Sequence, residues 1–459
     1  MAKKHSVLQD LSDKKLSALF WQYALPAIIG TSVSTLYNII NGVFIGHWIG
    51  KEALSAAGLI LPVMNMAAAI GMLVGVGSAS RISIYLGLKE QNKAEQIAGT
   101  SLMLTLLLSG LILSILFIFL DPILMFVGAS EVTLPYAREF LQIFLPGSIF
   151  LTLAFNYNNM MRACGYPFKA MVTMFISVIV NIILAPVFIY WLGWGMRGAA
   201  VATTISMAVS FAFVMLHFTS KNSEIRLKKE NFKLPLDSVK AIISIGLSPF
   251  CMQIAASAVI ILINFQINRY APAAGVIGDD AIGAFANANR LITLIIMIVI
   301  GLNQGMQPII GYNYGAKNYT RVKETFIYAV KVATCITTTG FLLGMFAPEL
   351  LVMAFSPDPE MIRLSATALR YITISFAFIG FQMVTTSFFQ CIGMAKISII
   401  LSLSRQVLIL IPVLIIMPML FGLDGVWIAS PVSDIFATFI SAYILYLQIQ
   451  KIKATGVTL

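Results

Sequence analysis

Charge is what this sequence has least of. Among 459 residues only 11% are Asp, Glu, Lys or Arg, where a soluble domain carries roughly a quarter. So little charge cannot cover a water-facing surface of this size, which excludes a soluble globular protein. Histidine is rarer still: His5, His47 and His217 lie in the tail or near the ends of apolar segments. No His-Glu-x-x-His, no Gly-x-Ser-x-Gly and no paired mid-segment acids occur. Metal or acid–base catalysis therefore has no apparatus, and no enzyme is expected. Cys164, Cys251, Cys335 and Cys391 fall in or beside apolar segments without metal-ligand spacing, so buried free thiols are expected. Residues 1–15 are polar and lack the apolar core of a signal peptide, so no cleaved leader is expected.

What the chain has instead is apolar length. Apolar residues make up 59%, with a mean hydropathy of +0.90. Runs of about 20 such residues recur from end to end, each enough to cross a ~30 Å hydrocarbon core and too long for barrel strands. The expected class is an all-α polytopic membrane protein. Twelve spans are predicted, at 17–45, 55–80, 97–120, 136–159, 170–192, 198–219, 240–268, 281–304, 325–347, 366–388, 398–420 and 426–449. The longest polar connection follows the sixth. This predicts a tail (1–16), a six-helix bundle (17–220), a basic linker (221–239), a second bundle (240–449) and a tail (450–459).

The net charge of +11 would suggest nucleic acid on a soluble protein, but here its distribution carries the meaning. Of the 30 Lys and Arg, 21 fall on the side of the two termini and six on the other, with Arg290, Lys331 and Arg405 inside spans. Basic loops stay in the cytoplasm, so both termini are expected there, and no nucleic-acid partner is expected.

The halves repeat. Gly50-Lys51-Glu52-Ala53-Leu54 matches Gly278-Asp279-Asp280-Ala281-Ile282 at an offset of 228. Gly77 with Gly305, Gly87-Leu88-Lys89 with Gly315-Ala316-Lys317, and Gly165 with Gly393 keep it, while Gly198 with Gly425, Pro186 with Pro412 and Pro26 with Pro249 stay within five residues of it. Parallel six-span repeats related by an axis along the membrane normal usually enclose a substrate site with alternating access. A transporter is the leading class. Asn313 and Gly315 read as a helix C-cap pair.

Three stretches, LPAIIGTSVSTLYNIINGVFIGHWIGKEALSAAGL (25–59), RACGYPFKAMVTMFISVIVNIILAPVFIYWLGWGMRGAAVATTIS (162–206) and GLNQGMQPIIGYNYGAKNYTRVKE (301–324), resemble the multidrug and toxic compound extrusion (MATE) transporters. FFQCIGMAKISI (388–399), SRQVLILIP (404–412) and GLDGVWIASPVSDI (422–435) resemble their MepA-like branch. The resemblance implies two bundles around a central cavity and export of amphipathic, cationic compounds driven by an H+ or Na+ gradient. It also implies no cofactor beyond that ion, small-molecule substrates, a monomer, and the bacterial cytoplasmic membrane. Pro26 and Pro249 would mark helix bends.

The family's coupling acids are missing. Its proton-coupled members carry an aspartate at the position of Asn41 and another four residues after an asparagine, which here falls on Ala185 after Asn181. The sodium-coupled branch uses acids in helices 7 and 10, and spans 240–268 and 366–388 hold none. A cation site, Na+ included, has no assigned residues. Coupling therefore shifts to the charges left within spans: Asp434, with Arg405 and Arg290 as partners. Asp434 and Arg405 fall at similar depths on antiparallel neighbours. Their pairing reads either as a staple between two helices or as the coupling centre. Substrate-cavity candidates are polar residues in apolar spans: Asn38, Asn41, Asn158, Asn181, Thr203, Gln253, Gln304 and Gln382. Two alternatives remain. A lipid-linked oligosaccharide flippase would need arginines in both halves of the cavity, and a non-transporting receptor or assembly factor would share the scaffold.

Overall fold

The computed structural model describes residues 10–220, 223–353 and 358–454, without the side chains of Asn38, Asp279 and 451–454. Among the described residues all regular structure is helical. The long helices are α1 (Leu16–Trp48), α2 (Lys51–Gly87), α3 (Gln91–Ile118), α4 (Leu134–Ala163), α5 (Pro167–Trp191), α6 (Gly195–Thr219), α7 (Leu236–Tyr270), α8 (Gly278–Gly315) and α9 (Tyr319–Phe346). Helix α10 is broken: Pro359–Thr373 and Phe376–Cys391 meet at 52°. The last helical stretch, Ala395–Gln450, runs 56 residues, which at 1.5 Å per residue is about 84 Å, far more than one bilayer core. Gly422, at φ 59° and ψ −135°, interrupts it and separates α11 (395–421) from α12 (423–454). Counted this way the described residues form twelve spans, and the chain is a multi-pass membrane protein.

Two departures from the sequence-based expectation have physical causes. The span expected to run unbroken over 366–388 is two half-helices, with fully buried Ser375 at the break. Irregular backbone at membrane depth is tolerated where it is enclosed by protein or lines a cavity, and this break is so enclosed. Gly315, expected as a helix cap, is instead the last residue of α8, while the left-handed residue beyond it is Lys317, at φ 59°. Its counterpart Lys89 sits at φ 60° after α2. The repeat thus extends to backbone conformation, and the glycines serve another purpose.

That purpose is contact between the halves. A Cβ on Gly87 would overlap the Tyr312 carbonyl, and one on Gly315 the Ile84 carbonyl. Ile84 and Tyr312 are themselves repeat equivalents, so the two contacts mirror each other. Gly77 abuts Ile242 and Gly246 abuts Leu73, joining α2 to α7. Gly305 and Gly301 would place a Cβ 2.5 Å from the Cα atoms of Ala24 and Ile28, joining α8 to α1. Pro26 lies between those two α1 positions. Small residues let membrane helices approach until their backbones touch.

All these contacts lie toward the ends that carry the chain termini. Apolar clusters there draw on both halves: one joins Leu19, Phe20 and Tyr23 to Val299, Leu302 and Met306, and another joins Val74 and Ile82 to Ile242. At the opposite end one cluster spans 45–207 alone and the other 259–429 alone. The halves therefore meet at the terminus side and separate at the other. Short segment Asp10–Asp13 closes the joined end from below, where the Leu11 carbonyl accepts from Asn313 Nδ2 and Arg321 Nε, both at 3.0 Å.

Overpacking of this kind costs about 1–3 kcal/mol. Gly246→Ala and Gly315→Ala should each loosen the joined end, raising alkylation of a Ser80→Cys reporter, whose native hydroxyl donates to the Gln390 carbonyl across the halves (2.8 Å). Unchanged labelling in both variants would show that the halves do not rely on these glycines.

Candidate functional site

Separation of the halves leaves a cavity of about 410 Å3, walled mostly by the second half. Helices α7, α8, α10, α11 and α12 supply most of its surface, with Met72, Val76, Phe155 and Asn159 from the first half. Apolar walls come from residues such as Ile260, Ile263, Ile292, Ile296 and Met297. Phe285 stacks on buried Trp427, with ring centroids 6.0 Å apart at 15°, which stiffens the wall between α8 and α12. Pro249 also lines the cavity. Because its nitrogen carries no hydrogen, the carbonyl of Ile245, one turn earlier, has no helical donor there.

Among the described residues the cavity wall carries one acid and one base, Asp434 and Arg405. Arg405 Nε lies 2.6 Å from Asp434 Oδ1. Ser375, at the break in α10, donates its hydroxyl to Asp434 Oδ2 at 2.9 Å, so both carboxylate oxygens are engaged. Ser433 donates to the Arg405 carbonyl at 2.6 Å, and Thr438 to the Asp434 carbonyl at 2.7 Å. Arg405 sits in a π-helical turn, Ser404–Leu410, a widened turn that recurs at functional sites. Asp434 is only 5% exposed. A buried carboxylate persists where charge and hydrogen bonds replace its water, and here an arginine and a serine do so.

Neutral amides complete the wall: Gln253, Gln304 and Gln382 line it, as do Asn289, Asn303, Gln307, Gln390 and Gln406. Buried carbonyl oxygens of Asn303, Gln304 and Gln406 lack hydrogen-bond partners among the described residues. Gln390 and Gln406 escaped the sequence reading although each is a polar residue in an apolar run. Phe155 and Met72 gave no signal, since an apolar residue facing a cavity looks like one facing a neighbour.

The first-half candidates lie elsewhere. Asn158 donates to the Ala170 carbonyl at 2.8 Å, tying α4 to α5. Asn181 donates to Thr203 Oγ1 at 3.2 Å, Thr203 is 3.4 Å from the Tyr37 hydroxyl, and Asn41 donates to that hydroxyl at 3.4 Å. These four form a neutral chain linking α1, α5 and α6, away from the second-half cavity. Fully buried Ala185 completes no polar group there. The side chain of Asn38 lies outside the described residues. Arg290, expected beside the ion pair, is exposed on α8 and does not join it. Of the cysteines, Cys164 and Cys391 are buried, Cys251 is half-buried, and Cys335 is exposed on α9, contrary to the expectation of four buried thiols. A helix face against lipid is as apolar as one against protein, so hydrophobicity did not separate them.

The MatE family model matches residues 26–187 and 251–416. The chain belongs to the MatE family. Multidrug export protein MepA of Staphylococcus haemolyticus is 30% identical over 424 residues, covering 92% of each chain. MepA of Staphylococcus aureus is 28% identical, covering 93% of this chain and 92% of its own. Among solved structures, an outward-facing conformation of a multidrug resistance MATE family transporter of the MOP superfamily superposes with a TM-score of 0.90 at 26% identity, covering 98% of this chain and 99% of that one. The MATE multidrug transporter DinF-BH gives 0.87 at 34% identity, covering 96% of each. The fold is thus that of a MATE multidrug export transporter.

Removing one partner of a buried ion pair costs about 3–5 kcal/mol, whereas replacing both by apolar residues is often neutral. Arg405→Met should therefore lower the thermal unfolding temperature clearly, and Arg405→Met with Asp434→Leu should recover most of the loss. Equal destabilisation by the single and double variants would show that the two charges do not depend on each other.

Proposed function

We propose that this MatE protein is a secondary active exporter of amphipathic compounds, working by alternating access and driven by an H+ or Na+ gradient in a bacterial cytoplasmic membrane. The observation that carries this is an apolar cavity, open where the halves part, with one buried carboxylate held by a single arginine. With both termini in the cytoplasm, as the distribution of Lys and Arg supports, the joined end faces the cytoplasm and the parted end faces out. The backbone contacts at Gly77, Gly87, Gly305 and Gly315 form the closed gate of that state. Export returns the cavity to the cytoplasm by exchanging this gate for one at the opposite end.

Coupling in this reading runs through Asp434. Its carboxylate accepts from Arg405 and Ser375, so an incoming cation or proton competes with the guanidinium for the same oxygens. Neutralising the acid releases Arg405 and loosens α10, α11 and α12 together, because Ser375 sits at the α10 break and Arg405 in the α11 π-turn. The neutral first-half chain through Asn41 has no titrating member near neutral pH and serves as packing. An oligosaccharide flippase is disfavoured, since the cavity wall offers one arginine, already paired. A non-transporting receptor or assembly factor would accumulate no substrate against a gradient.

Efflux from proteoliposomes under separate pH and Na+ gradients tests this. Asp434→Asn, checked for folding, should leave downhill leakage unchanged and abolish the response to the driving gradient. Gradient-driven efflux equal to the parent in a well-folded Asp434→Asn protein would remove Asp434 from coupling. Asn41→Asp should add proton dependence if the first-half frame still accepts a carboxylate.

A further inference from the structure

The charge balance of the cleft points to a narrower substrate class than export alone requires. Asp434 and Arg405 cancel each other. Arg290 of α8 and Lys331 of α9 are the other two charges inside the predicted spans, and α9 does not line the cavity. Among the described residues Arg290 has neither a hydrogen bond nor an ion pair. Its position follows from helix geometry. Thr31 of α1 donates to the Met297 carbonyl of α8 at 3.1 Å, which fixes the register of these two helices. The helices are antiparallel, so seven residues outward on each, about 10 Å, brings Arg290 level with residue 38 of α1. On α8, Thr293 and Met297 line the cavity three and seven residues further on, and Asn289 lines it directly before. Arg290 therefore stands just outside the cavity lining, exposed at the edge of the α8 face that carries Asn289, Thr293 and Met297.

A guanidinium in this position repels a permanent cation and attracts an anion, and low-dielectric walls strengthen both effects. In the first half the chain through Asn41 is neutral and Ala185 is apolar, so neither offers a cation a counter-charge. Beside Arg290, Asn289 and Thr293 offer neutral hydrogen-bonding groups, and Ile260, Ile263, Phe285, Ile292 and Ile296 form an apolar surface for the rest of the molecule.

We propose that Arg290 receives the anionic group of the transported compound, so that the protein exports soluble amphipathic anions in preference to cations. This rests on the export reading given above and specifies its substrate class. A carboxylate or sulfonate would pair with the planar guanidinium in a bidentate arrangement, while its apolar body lies along α7 and α8. The anion would meet Arg290 to one side of the Asp434–Arg405 pair, so recognition and coupling use different charges.

Two dyes on one xanthene scaffold separate the alternatives: anionic fluorescein and cationic rhodamine 6G, bound to the purified full chain and followed by fluorescence anisotropy. Fluorescein should bind more tightly. It should lose about tenfold in Arg290→Gln, as for a charge-assisted hydrogen bond, and recover in Arg290→Lys, while Arg290→Glu should invert the preference. Tighter binding of rhodamine 6G that is indifferent to residue 290, or binding of neither dye, overturns the proposal. Displacement of fluorescein by phosphatidylglycerol vesicles but not by phosphatidylcholine vesicles would reassign the guanidinium to a lipid headgroup and also overturn it. Charge-dependent binding without gradient-driven efflux of either dye would leave Arg290 as the anion site and remove the export reading instead.

Discussion

Backbone contact between the halves at one end is the constraint on which the rest of this structure depends. Gly77, Gly87, Gly246, Gly301, Gly305 and Gly315 bring α1, α2, α7 and α8 together so closely that a Cβ would strike the facing helix. Between helices in lipid there is little hydrophobic force, because hydrocarbon tails are as apolar as leucine, so close packing and hydrogen bonds must supply the adhesion. Glycines at repeat-related positions supply it twice, once for each half. The cavity follows as a consequence: two bundles joined at one end and parted at the other enclose a wedge between them. A gate made of van der Waals contact and a few hydrogen bonds, such as Ser80 to the Gln390 carbonyl, can also reopen without breaking an ion pair.

The two halves share a backbone plan and divide the chemistry unequally. In the first half the polar residues bond mainly to one another: Asn41, Tyr37, Thr203 and Asn181 pass hydrogen bonds from helix to helix, leaving the Asn41 carbonyl oxygen without a partner, and Asn156 draws on Ser78, Ser101 and Thr105. Nothing charged remains in that network. The first half has a π-turn too, Val187–Trp191 at the end of α5, but in the second half the break at Ser375 and the π-turn around Arg405 both touch Asp434. Strained or widened backbone persists where surrounding contacts over-determine it, and here those contacts converge on one carboxylate. The asymmetry explains why the cavity is a second-half feature although the fold is pseudo-symmetric.

Much of the fold was legible in the sequence because the bilayer imposes simple rules. Span length, the repeat offset of 228 and the depths of Asp434 and Arg405 are arithmetic on residue number. That arithmetic anticipated twelve helices and two charges on adjacent antiparallel helices at one height. What escaped it depends on the third dimension. Helix α10 carries no proline at its break, where a serine instead donates to a carboxylate 59 residues away. Gly315 looked like a cap since it ends a helix, yet its lack of a side chain serves contact with α2. Asn158, Asn181 and Gln382 are alike as letters. Only the packing of neighbouring helices turns the first two toward protein partners and the third toward the cavity.

The separation of Arg290 from the ion pair changes how the remaining charges should be understood. Three charges at similar depth in a membrane suggest a single network, and an arginine added to an existing Arg–Asp pair would hold the carboxylate more firmly. Here the third charge instead stands apart, exposed on α8 beside the cavity lining. A solvated guanidinium costs little to keep, but one that closes into a dehydrated cleft needs an anion as its counterpart. In the alternating-access cycle proposed above, that closure would recur each time, because the parted walls must meet before the joined end opens. The conformational cycle itself then discriminates among occupants: a cation leaves Arg290 uncompensated as the walls approach, while an anion neutralises it. Selection would occur at closure, through the cost of burying a lone charge, rather than through the strength of the first encounter.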